Sequence, residues 1–288
     1  MTTVNNLAQG LLLGGLYALF ATGLSLVFGV MRLVNLAHGD FAILAAFFAL
    51  VAVEGAGVHP LLTVAVVVPA MFAVGYLLQR GLLNFTLGGD GLAPVLVTFG
   101  LSIILQNLLL ELFSADSRGL DAGTVEDTSL ALGRLNVGWF PLLTLVTGAA
   151  LLGGLQLLLA RTQLGRALRA TSDDPEAAQL VGVDHRHAFA MATGLALATV
   201  AIAGIFLGIR TTFSPALGPT RLIFAFEAVI IGGLGSLWGT LAGGMVLGVA
   251  QTLGAQISPG WGVLTGHLVF LAVLAFRPAG LFGKPVTT

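Results

Sequence analysis

Residues 6–30 read NLAQGLLLGGLYALFATGLSLVFGV, an uncharged run that decides the fold of this chain. A helix needs about 20 mostly apolar residues to cross the hydrocarbon core of a bilayer, and this run is long enough. The residues before it lack the basic segment and short apolar core of a cleaved signal peptide. The run is therefore interpreted as a first membrane span that is retained.

The composition extends this interpretation to the whole chain. Of its 288 residues, 57% are hydrophobic and only 9% are charged, with a mean hydropathy of +1.00. Soluble domains carry about 25% charged residues, so this chain cannot cover a soluble surface, and an all-α polytopic bundle embedded in a lipid bilayer is predicted. The net charge of −1 argues against a nucleic-acid partner. The absence of cysteine excludes disulfides, thiolate catalysis and Cys-ligated metals.

The apolar runs predict about eight full or nearly full spans and one short, broken segment. The full spans are placed at residues 6–30, 38–54, 60–80, 92–113, 139–160, 187–209, 240–257 and 262–276. The broken segment, residues 222–234, runs into a glycine-rich stretch at 232–239. No polar stretch is long enough to bury a core of its own, so residues 1–288 are expected to form a single transmembrane domain.

Charges in the short loops predict the orientation, because loops rich in Lys and Arg face the cytoplasm. The loop 161–186 is placed inside because of Arg161, Arg166, Arg169 and Arg186. The loop 114–138 is placed outside because of Asp116, Asp121, Glu126 and Asp127. Arg277 and Lys284 end outside if residues 222–257 cross once and inside if they cross twice, and the second count is favoured.

The inside loop carries the local signals of a short helix. Asp174 can cap its N-terminus, Pro175 suits the first helical position, and Glu176 favours the positive end of the helix dipole. Gly182 fits the terminating position. A helix of about two turns is unstable alone in water, so we expect its apolar face to pack in a groove. That face is formed by Ala177, Ala178 and Val181. The alternative is an ordinary amphipathic connector at the membrane surface.

Residues 176–182, Glu-Ala-Ala-x-x-x-Gly, resemble the EAA-x-x-x-G coupling motif of bacterial ABC importer permeases. Further stretches in the expected order resemble the permeases of branched-chain amino acid ABC importers. They are GLYAL at 15–19, VNLAHGDF at 34–41, GRALRA at 165–170, IGGLGS at 231–236 and RPAGLFG at 277–283. Because these matches cover nearly the whole chain, it is identified as a member of this permease family.

The resemblance implies a machine of several subunits in the bacterial cytoplasmic (inner) membrane. Two permeases, related or identical, form the pathway. Two cytosolic ABC ATPases bind ATP and Mg²⁺, so this chain is expected to bind no cofactor, and a periplasmic solute-binding protein delivers the solute. The ATPase contacts are expected at Asp174, Pro175, Glu176, Ala177, Ala178, Leu180 and Gly182. Since carriers of urea, short amides and aromatic acids are similar, those solutes are alternatives to branched-chain or other small neutral amino acids.

Polar groups inside the apolar spans are candidates for the solute pathway, because ionisable groups at membrane depth are costly. Asn35, His38 and Asp40 lie at the junction of the first two spans, and a structural role at the cytoplasmic edge is favoured for them over a pathway role. For Glu227, in the broken segment, the pathway role is favoured. Backbone groups at Gly232, Gly233 and Gly235 could also hold a zwitterion.

Enzyme chemistry has no support in the sequence. The chain has no G-x-x-x-x-G-K-[ST] phosphate loop, no H-E-x-x-H and no G-x-S-x-G, so no catalytic residue, no metal ligand and no ATP hydrolysis are assigned to it. Two other classes stay open. An autonomous secondary transporter or channel would need a coupling-ion carboxylate near the midplane, for which Glu227 is the candidate. The other class is a purely structural membrane subunit.

Overall fold

A computed structural model of the chain describes residues 2–87, 92–123, 125, 128–132 and 135–283. Glu126, Asp127 and Lys284, used above in the orientation argument, lie outside the described residues. The α-helices are α1 (Thr2–Met31), α2 (His38–Ala56), α3 (Val64–Gly81), α4 (Leu92–Phe113), α5 (Trp139–Arg161), α6 (Gln163–Asp173), α7 (Pro175–Leu180), α8 (His185–Arg210), α9 (Gly218–Gly232), α10 (Leu237–Ile257) and α11 (Trp261–Phe276). Short 3-10 helices cover Pro60–Thr63, Leu83–Phe85 and Pro215–Leu217. The predicted all-α polytopic bundle is confirmed.

Side-chain caps define the starts of α6 and α10, which each follow a short connection. The Thr162 hydroxyl accepts a hydrogen bond from the amide of Gly165 at 3.0 Å before α6. The Ser236 hydroxyl accepts one from the amide of Gly239 at 3.1 Å before α10. The first amides of a helix have no partner within it, so a hydroxyl at these positions lets a new helix begin directly after a tight connection.

Two helices form the centre of the bundle. In the most apolar window of α1 and of α8, 83% of the residues are buried, against 22% for the windows in α3, α4 and α5. The latter three helices therefore lie at the periphery with apolar side chains outward. On another side of α1, glycines allow the backbone of α10 to approach closely, since a Cβ on Gly10 would lie 2.7 Å from Val249 Cα.

Eight segments of the described chain are long and apolar enough to cross a membrane, and α11 is a shorter apolar helix. The predicted number of spans, eight with one further short segment, agrees with the structure, but a different segment is the short one. The region predicted as broken at 222–234 is one helical run over Pro215–Gly232, and the final helix, Trp261–Phe276, is the shorter one. Proline is well tolerated in the first turn of a helix, so α9 begins before Pro219 and includes Arg221.

The end of the described chain returns to the face that carries the loop 161–184, which we call the arginine-rich face. The amides of Leu281 and Phe282 donate to the carbonyls of Ile231 and Gly232 at 2.8 and 3.0 Å, at the end of α9. The Ser172 hydroxyl of the loop donates to the Gly29 carbonyl at 2.9 Å, near the end of α1. A Cβ on Gly29 would in turn lie 3.3 Å from Gly235 in the turn after α9. These contacts favour two crossings within residues 222–257.

The opposite face is closed by the connection between α4 and α5. It contains an antiparallel hairpin of β1 (Ser129–Leu132) and β2 (Leu135–Gly138). Arg118 and Phe213 exchange two backbone hydrogen bonds of 2.8 Å, and the Leu120 amide donates to the Gly208 carbonyl at 2.8 Å. The connection after α4 therefore lies against the end of α8.

Two helices begin inside the bundle rather than at its faces. His38, the first residue of α2, hydrogen-bonds through Nε2 to the carbonyl of Phe20 at 3.0 Å. Phe20 lies about three turns from the Met31 end of α1, so residues 32–37 enter the bundle from the arginine-rich face. Gly218, the first residue of α9, packs against Asp40 near the start of α2. The segment 211–217 thus enters from the opposite face, and the two entering segments meet.

Candidate functional site

The short helix predicted in the loop 161–186, α7, is present with both of its predicted ends. Asp174 Oδ1 accepts hydrogen bonds from the amides of Glu176 and Ala177, both at 3.0 Å, and Pro175 occupies the first turn. At the other end Gly182 has a positive φ of 86°. The amides of Gly182 and Val183 donate to the carbonyls of Gln179 and Ala178 at 2.9 Å each, the paired pattern that closes a helix on a left-handed residue.

Some apolar side chains at this helix are buried against the rest of the protein, and others are exposed to solvent. Ala178 is buried, with 3% of its surface exposed, and therefore packs on the body of the protein. This corrects its assignment to a face free to enter a groove. Leu180 and Val181 are 89% and 79% exposed. The packing of α7 on its neighbours sets this division, and the local sequence pattern did not reveal it. The projecting apolar contact is thus Leu180 and Val181.

The preceding helix, α6, anchors the coupling helix to the bundle. Its Leu168 is fully buried in a cluster with α1, α5 and α8 side chains. Gly165 packs directly on the carbonyl of Leu159, where a Cβ would overlap. Arg169 donates to the same carbonyl. The α6 helix is therefore fixed on the ends of α1 and α5.

A chain of polar contacts fastens the other end of the coupling loop to α3. Thr193 donates to Gln79 at 2.7 Å, and Gln79 donates to Asn84 at 3.0 Å. Asn84 then donates to the backbone carbonyl of Arg186 at 3.2 Å. All three side chains are buried, so these bonds are shielded from competing water and hold α3 against the start of α8.

Asp184 caps α8 directly after the coupling helix. Its Oδ1 accepts from the amide of His187 at 3.1 Å, and its Oδ2 lies 3.7 Å from Arg80 Nη1. The His187 amide is the main cause that holds the pKa of the Asp184 carboxyl below its usual value, with a smaller contribution from Arg80. The carboxylate is therefore the stabilised form at this helix start.

Asn35, His38 and Asp40 are all buried, but they do not form one group. Asn35 Oδ1 accepts from the amide of Ala37 at 3.0 Å and thereby closes the turn before α2. His38 reaches the Phe20 carbonyl, and Asp40 Oδ2 accepts from Ser102 Oγ of α4 at 2.5 Å. Their place is deeper than the cytoplasmic edge assumed from the sequence, because residues 32–37 enter the bundle.

Glu227 has a partner that sequence analysis missed. Its Oε1 contacts Nδ1 of His267 on α11, with 4% and 38% of the two side chains exposed. His267 is the one ionisable side chain within the apolar helix α11, and this was the signal that the sequence offered. Among the described residues, Glu227 Oε2 has no hydrogen-bond partner, so the carboxylate keeps one free oxygen inside the bundle.

The glycine-rich turn lies at the arginine-rich face, away from Glu227. Gly233 and Gly235 have φ values of 104° and 78°, and a Cβ on Gly232 would overlap the Gly239 carbonyl. The Gly232 carbonyl accepts from Phe282. The Gly233 carbonyl accepts from Ser236 at 3.0 Å. These two carbonyls are thus engaged within the chain.

Within the described ranges, no group of three or more His, Cys, Asp or Glu side chains could hold a metal ion. The polar side chains brought together within the spans are pairs and short chains that join different helices. Such an arrangement can hold helices in register and can present single hydrogen-bonding groups to a solute.

The profile of the family described as "Branched-chain amino acid transport system / permease component" matches residues 6–275. The chain is 30% identical to the high-affinity branched-chain amino acid transport system permease protein BraD of Pseudomonas aeruginosa, over 98% of this chain and 96% of the relative. It is 27% identical to the corresponding protein LivH of Salmonella typhimurium, over 96% and 94% of the two chains. The probable LivH of Methanocaldococcus jannaschii is also 27% identical, over 96% and 91%. No solved structure gives a significant match.

Proposed function

This chain belongs to the permease-component family of branched-chain amino acid transport systems, and we propose on that premise that it carries branched-chain or other small neutral amino acids through the bacterial inner membrane. It works as a single permease domain beside a second permease, related or identical. A periplasmic binding protein delivers the amino acid on the opposite face. Two ABC ATPases, which hold ATP and Mg²⁺, dock at the arginine-rich face.

The observation that supports this proposal is the coupling helix. It is capped at Asp174, closed at Gly182 and presents Leu180 and Val181 to solvent. Two large apolar side chains exposed on a polar loop favour a protein partner over water. The anchoring of α6 and the Gln79–Asn84 chain link this helix to α1, α3 and α8, so a force applied at Leu180 reaches the centre of the bundle.

The cargo assignment rests on the names of the relatives. Each is described as a branched-chain amino acid transport permease, and each matches this chain over nearly its full length. The buried Glu227 with one free carboxylate oxygen adds support, because an amino acid carries an ammonium group that a neutral urea or amide lacks. Transport by the parent complex, supplied with its binding protein and ATP, should therefore be faster for L-leucine than for urea. Uptake that proceeds without ATP would instead favour an autonomous transporter.

The docking role is tested by Leu180→Asp in the complete complex. We expect ATPase copurification and ATP-driven uptake to fall about tenfold or more, because a charge would replace an apolar side chain that the docked ATPase covers. Leu130→Asp is the matched control for ATPase copurification, since Leu130 is also a large exposed apolar residue but lies in the hairpin on the opposite face. If Leu180→Asp keeps its ATPases and its uptake, the docking assignment is wrong.

A further inference from the structure

A set of polar side chains from four helices lies inside the bundle around one aromatic ring. The Tyr17 hydroxyl of α1 donates to Gln251 Oε1 of α10 at 2.5 Å. The ring of Phe224 on α9 lies 5.2 Å from the Tyr17 ring and 6.1 Å from the His267 ring on α11. His267 in turn contacts Glu227. The ring of Phe224 therefore lies beside both the hydroxyl–amide pair and the acid–imidazole pair.

Two arginines complete this set. Arg210 is the last residue of α8, and Arg221 lies in the first turn of α9. Both interact electrostatically with the Tyr17 hydroxyl and with each other. Within the described part of the chain, neither guanidinium forms an ion pair with a carboxylate. Positive charges in the low-dielectric interior of a protein repel one another unless an anion joins them.

Four buried polar atoms of this set lack a hydrogen-bond partner in the part of the chain that the structure describes. They are Arg210 Nη1, Arg221 Nε, Glu227 Oε2 and Gln251 Nε2. Glu227 and Gln251 are 3% and 6% exposed. Buried polar groups in native proteins are nearly always paired, so this concentration of three donor atoms and one acceptor points to a ligand that supplies the missing partners.

The positively charged end of the set lies nearest the opposite face. Arg210 lines a recess of about 390 Å³ there, together with Asp121, Thr211 and Thr212. Arg221 follows at the start of α9 inside the bundle, and Glu227 lies further along the same helix toward the arginine-rich face. In order from the opposite face, the two guanidinium groups therefore come before the Glu227 carboxylate.

We propose that Tyr17, Arg210, Arg221, Glu227 and Gln251, which we call the bipolar cluster, bind the zwitterionic head group of an α-amino acid in the pathway. The two guanidinium groups receive the carboxylate of the amino acid, and Glu227 Oε2 receives its ammonium group. Phe224 offers a surface for the apolar side chain. The inference rests on the proposed function and names the chemistry that the permease itself recognises: a solute with both charges, which excludes neutral urea and amides.

The test uses the complete importer in proteoliposomes with its binding protein, ATP and radiolabelled L-leucine. Arg210→Gln and Arg221→Gln are each expected to lower leucine uptake about tenfold or more, since truncating one member of a buried charge pair is costly. ATP hydrolysis and the copurification of all subunits should stay within about twofold of the parent complex. The number of ATP molecules hydrolysed per leucine transported should therefore rise, a result that general misfolding does not produce.

Arg118→Gln is the matched control, because Arg118 Nε also lacks a hydrogen-bond partner but Arg118 lies in the connection after α4, beside Asp116 at 3.9 Å. This variant should transport leucine at the parent rate. Tyr17→Phe removes one hydroxyl and keeps the ring, so it tests the cluster without changing a charge. We expect an uptake between those of the parent and of Arg221→Gln.

Three outcomes are decisive. If the parent complex hydrolyses ATP but moves urea rather than leucine, the proposed function fails. If the parent moves leucine and the arginine and Tyr17 variants do so at the parent rate, the bipolar cluster alone is overturned. It is also overturned if the arginine variants lose the second permease during purification, because the guanidinium groups would then serve subunit pairing.

Discussion

A Cβ atom added to Gly218 would overlap Oδ1 of Asp40, so the first residue of α9 packs directly on the carboxylate near the start of α2. Each helix presents the positive end of its dipole at this point, and the carboxylate lies between them. Asp40 Oδ2 is bonded to Ser102, whose hydroxyl also accepts from Gln106 at 3.0 Å. The contact thus joins α2, α4 and α9 inside the bundle.

Gly218→Ala should destabilise the protein by about 1–3 kcal/mol, because the added methyl group overpacks the contact with Asp40. Thermal unfolding in detergent, followed by tryptophan fluorescence, measures the change. Gly100→Ala on α4 is the control, since a Cβ there meets nothing within 4 Å, and its stability should equal or exceed that of the parent. Equal unfolding temperatures for the two variants would contradict the packing argument.

Asp40→Asn should lower the stability by about 1 kcal/mol, because an amide keeps the Ser102 hydrogen bond but brings no negative charge to the two helix starts. The same unfolding measurement applies. Glu54→Gln on α2 removes an exposed carboxylate and is expected to change little. A larger loss for Glu54→Gln than for Asp40→Asn would show that the buried charge does not matter.

Gly182→Ala should loosen the end of the coupling helix by about 1–2 kcal/mol, since a left-handed backbone is costly for a residue with a Cβ. A Cβ at Gly182 meets nothing within 4 Å, so the effect is conformational rather than steric. In this variant, hydrogen exchange at the backbone amides of residues 182 and 183 should be faster than in the parent protein. Gly182→Asn should recover part of the protection, and Gly153→Ala, at an open helical position of α5, should leave these amides unchanged.

The Asp184 cap predicts a pH dependence with a definite sign. Its pKa is lower in the folded protein than in the unfolded chain, chiefly because of the His187 amide. The carboxylate therefore contributes stability above the unfolded pKa of about 3.9, and this contribution is lost as the pH falls through the folded pKa. Asp184→Asn keeps a capping oxygen without the charge.

The unfolding temperatures of the parent and of Asp184→Asn should thus differ most at neutral pH and converge in acid. Asp184→Ala, which also loses the cap, should be about 1 kcal/mol less stable than the parent at neutral pH. A gap between the parent and Asp184→Asn that widens on acidification would reverse the assigned sign.

The spans and the coupling helix were predictable because their determinants are local. The runs at 6–30 and 92–113 need only their own apolar side chains, and α7 is defined by Asp174, Pro175 and Gly182 within a few residues of one another. The start of α9 also has a local cause, since proline suits a first turn and the helix begins at Gly218, before the predicted start at residue 222.

The remainder depends on contacts between distant segments. Nothing in the local pattern around Glu227 indicates His267, and nothing around Tyr17 indicates Gln251 on α10. The depth of His38 follows from its bond to Phe20 on the preceding helix, and the inward direction of Ala178 follows from packing. A single sequence contains the periods of helices but not the pairing of their side chains.

The contact between Asp40 and Gly218 has a consequence for biogenesis. A ribosome delivers α2 to the membrane long before it has made α9, so the Asp40 side chain enters the insertion machinery without the helix start that later faces it. Ser102 on α4 arrives first and supplies one hydrogen bond. Nascent chains that stop before residue 218 should therefore keep α2 loosely integrated, and firm integration of this early helix should await the synthesis of a late one.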